Sequence, residues 1–295
     1  MKKMQGIIAV TVTPFLEDGT IDYTASAKHI DWLISSGVHG FLPLGATGEF
    51  AALSMDERKA YAEFFIKRVD GRVPVMIGAV SMNVNETLEV ARHAASIGAD
   101  ALMILPPPGL YPSQEEIYQY YRHISANVIL PVAVYNNPHS SGVDIAPETM
   151  ERIATLPHMD YLKESTGDIK RLTRMVDTLA DELVILCGCE NLAFESFVMG
   201  AKGWICVCAN VAPAMTVKLF DLITVKGDLE AARALYRQLL PLMRLLEDTG
   251  ELWQVAKYVL HKQGIGTGAL RLPRGPISAQ SKKAVDDLLA AVTYS

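Results

Sequence analysis

The sequence contains no apolar run that approaches the roughly 18 residues of a membrane-spanning helix. It also has no excess of basic residues: the formal net charge is −6 and the isoelectric point is about 5.7. Such a charge argues against a surface for nucleic acid or anionic membranes. The short apolar start, residues 6–10, runs on to Pro14 without the small-residue cleavage site of a signal peptide. We therefore expect a cytoplasmic protein without nucleic-acid or membrane partners.

The chain has four cysteines and seven histidines, and the histidines show no H-x-x-x-H spacing. The cysteines form two C-x-C pairs, Cys187 with Cys189 and Cys206 with Cys208, which could supply four thiolates to zinc. Alternatively, each pair merely places two small side chains on one face of a strand. Structural zinc sites more often use C-x₂₋₄-C spacing, so we predict that no metal is bound.

A short apolar segment followed by a helical pattern recurs along most of the chain. The segments are rich in Val, Ile and Leu, as expected for parallel strands that are buried on both faces. The predicted strands are residues 6–13, 40–44, 73–79, 101–105, 130–135, 161–164, 183–187 and 204–208. Capping boxes are predicted at Ser54 with Glu57 and at Ser113 with Glu116, and Asp22 is a further helix start.

Eight such units predict the α/β class and a (β/α)₈ TIM barrel over residues 1–225. Residues 226–295 hold patterns for about three helices and none for a strand, which predicts a C-terminal helical appendage. No linker or low-complexity segment separates the two ranges. We therefore expect one structural unit, with reactive groups at the C-terminal ends of the strands.

Lys163 is the one lysine that the pattern places inside an apolar strand. Period-two alternation puts Tyr161, Lys163 and Ser165 on one face and Glu164 on the other. A lysine that points into a barrel is costly to keep charged, which favours the neutral, nucleophilic amine. The alternative is an ion pair with a carboxylate such as Glu164. Tyr135 ends the preceding strand, and a phenol placed there could transfer protons to and from the Lys163 amine.

The segment Gly45-Ala46-Thr47-Gly48 follows the second strand. Backbone N–H groups of such a loop can hold a small anion such as a carboxylate, although a simple tight turn has the same composition. It lacks the Gly-Lys-Ser/Thr of a nucleotide-binding loop. Further candidate substrate-binding residues are Gly188 and Ile205, after strand seven and in strand eight, and His139 and Ser140, after strand five.

Seven motifs, in this order, resemble the dihydrodipicolinate synthase / N-acetylneuraminate lyase family of Schiff-base aldolases. They are residues 13–15 (TPF), 45–49 (GATGE), 135–138 (YNNP), 163–164 (KE), 200–203 (GAKG), 209–211 (ANV) and 271–273 (RLP). The resemblance implies a homotetramer (a dimer of dimers) that uses no cofactor. Lys163 would form a covalent imine with a 2-keto acid, Tyr135 would relay protons, and Thr47 would hold the keto acid's carboxylate.

Three positions depart from the synthase of this family. Ala46 stands where the synthase has a threonine, and Gly109 where it has a tyrosine that reaches the neighbouring subunit. Ser140 replaces the arginine that grips the carboxylate of the synthase's substrate, aspartate semialdehyde. We therefore expect a relative that is not the synthase itself.

The sequence thus predicts a Schiff-base lyase or aldolase that acts on pyruvate or a 2-keto-3-deoxy acid. A dehydratase, a deaminase or a hydratase-aldolase that uses the same lysine remains open. A catalytically inactive keto-acid sensor is an alternative of another class, motivated by the hydroxyl groups absent at Ala46 and Gly109. A phosphate- or flavin-binding barrel is disfavoured because no Gly-rich phosphate-binding segment follows strands seven and eight.

Overall fold

The computed structural model describes residues 4–291, and eight parallel strands form the centre of this part of the chain. Their hydrogen-bonded order is β2-β1-β8-β7-β6-β5-β4-β3, and a parallel bridge between Phe41 and Val75 joins the two ends of the sheet. The predicted TIM barrel is confirmed. The strands are β1 (Gly6–Ala9), β2 (Gly40–Phe41), β3 (Met76–Gly78), β4 (Ala101–Ile104), β5 (Val132–Asn136), β6 (Met159–Glu164), β7 (Val184–Cys187) and β8 (Gly203–Cys206).

Helices surround the barrel, and three of them follow the last barrel unit, as the sequence predicts. The helices are α1 (Tyr23–Ser35), α2 (Met55–Val69), α3 (Val84–Ser96), α4 (Gln114–Ser125), α5 (Pro138–Ser141), α6 (Pro147–Ala154), α7 (Ile169–Leu179), α8 (Ala193–Val198), α9 (Pro213–Thr224), α10 (Leu229–Asp248), α11 (Leu252–Lys262) and α12 (Ala279–Ala291). The boundary between barrel and appendage at residues 225 and 226 stays a prediction, and its outer ends, residues 1–3 and 292–295, lie outside the described part. Within residues 4–291, no helix has both the length and the apolar character needed to cross a membrane.

Side-chain caps fix where several of the helices begin. Both predicted capping boxes are present: in the first, Ser54 N donates to the Glu57 carboxylate at 2.9 Å, and Glu57 N donates to Ser54 Oγ at 3.2 Å. The second joins Ser113 and Glu116 in the same way. Asp22 caps α1 by accepting a hydrogen bond from Ala25 N at 2.8 Å. These bonds satisfy backbone donors that have no partner inside the helix.

Five strands end earlier than predicted: β1 ends at Ala9 rather than at residue 13, β3 and β4 each end one residue early, and β2 and β8 are also shorter. For β2 and β8 the structure shows what diverts the backbone. β2 stops at Phe41, and Leu44 adopts a positive φ of 60°, which breaks the extended conformation. β8 stops at Cys206, because the next two amides, Val207 N and Cys208 N, donate to the Glu190 carboxylate at 2.7 and 2.8 Å. Neither cause is visible in the local apolar pattern.

The C-terminal helices contact the C-terminal end of the barrel, where the loops after the strands lie. Lys257 on α11 forms a buried ion pair with Glu49, in the loop that follows β2. Trp253 Nε1 donates to the carbonyl oxygen of Ala46 in the same loop at 2.9 Å. The appendage therefore supports the glycine loop that the sequence predicts as an anion-binding segment.

Candidate active site

Tyr135 and Lys163 lie side by side on neighbouring strands. The register of β5 and β6 pairs the two residues directly, and each is 5% exposed. Lys163 Nζ lies 4.1 Å from the centre of the Tyr135 ring. Glu164 points elsewhere, since its Oε2 accepts a hydrogen bond from Asn136 at 3.1 Å. The group beside the Lys163 amine is thus the Tyr135 phenol, and the alternative of an ion pair with Glu164 is disfavoured.

The hydroxyl of Tyr135 has a partner that the sequence analysis did not single out. Asn137 Nδ2 donates to Tyr135 Oη at 2.6 Å. Asn137 is also the N-cap of the short helix α5, with Pro138 at its first position. An Asn-Pro pair at a strand end is a recognisable helix start, but nothing in the pattern indicates that the amide also reaches the phenol.

Gly188 packs against the side chain of Lys163. A Cβ atom at Gly188 would lie 1.8 Å from Ser165 Oγ and 2.9 Å from Lys163 Cε. Ser165 Oγ is buried and has no hydrogen-bond partner within residues 4–291. A larger residue at position 188 would therefore displace the groups beside the amine, whereas contact of Gly188 with a substrate stays a prediction.

We expect Gly188→Ala to impair the site directly. Overpacking of this kind costs about 1–3 kcal/mol of stability, and displacement of a reacting group by about 1 Å can cost about 100-fold in rate. Thermal denaturation and the rate of reaction with pyruvate check both effects. Gly275→Ala is the matched control, because a Cβ there meets no atom within 4 Å. Equal rates for the two variants would contradict this role of Gly188.

A cavity of about 540 Å³ opens between the loops that follow β5, β6 and β7 and the C-terminal end of α10. Ser165, two residues after Lys163, is part of its lining, and the other polar lining side chains are Asn137, His139, Asn191, Glu247 and Asp248. Among the predicted residues, His139 is in this lining. Ser140 is exposed and outside it, with its amide donating to Asn137 Oδ1 at 3.0 Å.

Ala46 and Thr47 lie in the loop after β2, at the same end of the barrel as Lys163. Thr47 is buried, and the close packing of the loop requires glycine at position 48, where a Cβ would lie 2.8 Å from Leu44 N. Thr13 Oγ1 donates to Gly48 O at 2.7 Å. Ile205 is fully buried in β8. Contact of Ala46, Thr47 and Ile205 with a substrate stays a prediction.

Glu190 is a buried carboxylate after β7 that the sequence analysis did not select. Burial raises its pKa to about 8, although the two hydrogen bonds from Val207 N and Cys208 N act in the opposite direction. Its own amide donates to Glu247 Oε2 at 3.0 Å. Glu190 therefore ties the ends of β7 and β8 to the C-terminal end of α10, which carries part of the cavity wall.

The four cysteines are free, buried thiols. Burial raises the pKa of the Cys187 thiol to about 12, and it raises that of the other three as well. In the part of the chain that the structure describes, no group of three or more His, Cys, Asp or Glu side chains is arranged to hold a metal ion. These observations favour packing over the four-thiolate zinc site.

Comparison with known proteins covers almost the whole chain. The model of the dihydrodipicolinate synthetase family matches residues 3–292. The 4-hydroxy-tetrahydrodipicolinate synthase of Psychrobacter arcticus is 36% identical over 288 residues, which are 97% of this chain and 95% of the relative. The crystal structure of a putative dihydrodipicolinate synthetase from Pseudomonas aeruginosa superimposes with a TM-score of 0.94 at 36% identity, covering 98% of this chain and 99% of that one. A chloride-inhibited dihydrodipicolinate synthase from Acinetobacter baumannii, solved in complex with pyruvate, has a TM-score of 0.93 at 31% identity and covers 98% of both chains.

Proposed function

This chain belongs to the dihydrodipicolinate synthetase family, and from that premise we propose that it is a lyase whose Lys163 forms the Schiff base with pyruvate or a 2-keto-3-deoxy acid. Enzymes of this family use a covalent lysine–pyruvate Schiff base and neither a metal nor an external cofactor. The observation that carries the assignment to Lys163 is its position beside Tyr135, with Nζ 4.1 Å from the ring centre.

The mechanism follows from these two groups. The amine of Lys163 attacks the keto carbon, and the resulting carbinolamine hydroxyl leaves as water with the proton of Tyr135, which gives a protonated imine and a phenolate. In the cleavage direction, this Tyr135 phenolate accepts the proton of the substrate hydroxyl on the carbon to be released, which leaves as an aldehyde. The electrons of the broken C–C bond move into the imine and form an enamine. Protonation of the enamine carbon and hydrolysis of the imine then release pyruvate and regenerate the amine. Thr47 and its loop hold the carboxylate.

The cavity wall supports a substrate whose tail is uncharged. Glu247 and Asp248 line the cavity, and its lining within the described residues contains neither lysine nor arginine. A second carboxylate on the substrate would face these acidic groups without a cationic partner, whereas hydroxyl groups could donate to them. The second candidate function is condensation of pyruvate with aspartate semialdehyde, which is favoured by the names of the relatives at 36–38% identity.

A comparison of kcat/KM for the two substrate types tests this choice. We expect an uncharged-tail 2-keto acid to be preferred over aspartate semialdehyde with pyruvate by about 10- to 150-fold, the usual effect of one charge-assisted contact. Ser140→Arg restores the cation that the resemblance implies and should raise activity on the semialdehyde; Ser140→Ala is its uncharged control. If the wild-type enzyme prefers the semialdehyde, the assignment of an uncharged tail is wrong.

Other reactions that begin with an imine at Lys163 are alternatives, and the products formed from a series of 2-keto acids distinguish them. A dehydratase, a deaminase or a hydratase-aldolase would form the imine at Lys163 and release a different product. A sensor would bind the keto acid without turnover.

We also propose the homotetramer and the cytoplasmic location that the sequence predicts. Exposed apolar side chains after β3 and β4 support an interface: Met82, Leu110 and Tyr111 are 60%, 58% and 72% exposed.

A further inference from the structure

Both ends of the Asn137 side-chain amide are engaged. Its Oδ1 accepts a hydrogen bond from Ser140 N at 3.0 Å, which caps helix α5. Its Nδ2 donates to Tyr135 Oη at 2.6 Å. Because the cap fixes which end of the amide is the acceptor, the N–H group is directed at the phenol. The backbone of Asn137 adds to this rigidity, since its carbonyl oxygen accepts from Ser141 Oγ at 2.9 Å.

This arrangement determines what Tyr135 can do with its own proton. The phenol oxygen accepts from Asn137, so the phenol hydrogen is free to be donated in another direction. Lys163 Nζ lies on the face of the same ring. A hydrogen bond from an amide N–H to the phenol oxygen also strengthens as that oxygen gains negative charge, which happens when Tyr135 gives its proton away.

We propose that Asn137 is a positioning residue for proton transfer by Tyr135. A hydrogen bond from its side-chain amide to the phenol oxygen holds that oxygen in place. The inference rests on the proposed function of Lys163 and Tyr135. It gives this chain an internal partner for the phenol, within the same subunit and two residues along the chain. Asn137 also lines the cavity, so a bound substrate would lie next to the pair.

Asn137→Ser is the first test. Serine caps a helix about as well as asparagine, but its side chain is too short to reach Tyr135 Oη. We expect α5 to form, and the single-turnover rate of borohydride-trapped imine formation with pyruvate to fall by about 10- to 100-fold. Asn137→Asp is the second variant, because aspartate also keeps the cap and cannot donate to the phenol. Asn127→Asp, on the surface at the end of α4, should react at the wild-type rate.

The Tyr135→Phe background separates positioning from a general structural effect. Without a phenol oxygen, Asn137→Ser should cause no further loss of rate, so the two substitutions should be strongly non-additive. Equal losses in both backgrounds, or a wild-type rate for both Asn137 variants, would overturn the positioning role. A wild-type protein that pyruvate and borohydride do not label would instead overturn the proposed function, and this role with it.

Discussion

Lys163→Ala should abolish the addition of a three-carbon unit when the protein is incubated with pyruvate and borohydride. The wild-type protein should gain one such unit, and peptide mapping should locate it at Lys163. The physical reason is that Lys163 is 5% exposed, and that its amine does not pair with the adjacent Glu164 and lies against the ring of Tyr135. An amine held beside a phenol in this way is placed to attack a carbonyl carbon and to exchange protons with its neighbour.

Lys170→Ala is the control for this experiment, because Lys170 is exposed at the start of α7 and should not affect labelling. Circular dichroism of both variants distinguishes loss of the amine from loss of the fold. Labelling that persists in Lys163→Ala, or that maps to another lysine, would refute the imine mechanism. A labelled wild-type protein that releases no product from any 2-keto-3-deoxy acid or aldehyde tested would support the sensor alternative.

The pairing of Tyr135 with Lys163 could be predicted because it depends on two regular quantities, the period of a strand and the spacing between adjacent strands. Each residue ends an apolar segment, and consecutive segments of a barrel are neighbours. The same reasoning located Gly188 beside the site. It could not supply the reason, which is a close approach to Lys163 Cε and Ser165 Oγ that only the side-chain positions reveal.

The contacts of Asn137, Glu190 and Glu247 at the candidate site were not predicted, each for a physical reason. The hydrogen bond from Asn137 to Tyr135 depends on the rotamer of a side-chain amide, and a rotamer has no sequence period. The Glu190 carboxyl group accepts hydrogen bonds from the backbone amides of Val207 and Cys208, just after β8. Because every residue except proline has such an amide, the sequence does not mark these two as partners. Glu247 reaches the cavity from α10, and the packing of an appended helix on a barrel is not encoded in a local pattern.

The early end of β8 shows how such contacts also limit the prediction of strand boundaries. Residues 204–208 are apolar enough to continue as a strand, yet Cys208 begins a short 3₁₀ helix. The buried carboxyl group of Glu190 accepts hydrogen bonds from the amides of Val207 and Cys208. Buried carboxyl oxygens without donors would cost free energy, and these two bonds remove that cost at the expense of two bonds of the strand ladder. Satisfying one buried polar group thus redirected a backbone that its own sequence would have left extended.

Tyr135→Phe should slow turnover by about 10²- to 10⁴-fold, the usual contribution of one general acid–base group. The ring and its packing on Lys163 are retained, so the imine should still form, slowly, and the fold should persist. The hydrogen bond from Asn137 is lost, which should cost about 1 kcal/mol of stability. Steady-state kinetics on the best substrate and thermal denaturation measure the two effects.

Tyr258→Phe is the matched control, because its hydroxyl bonds to Asp286 between α11 and α12, remote from the cavity lining. A wild-type rate for Tyr135→Phe would mean that water or the substrate's own groups carry the proton, and the hydrogen bond from Asn137 would then serve only to hold the ring.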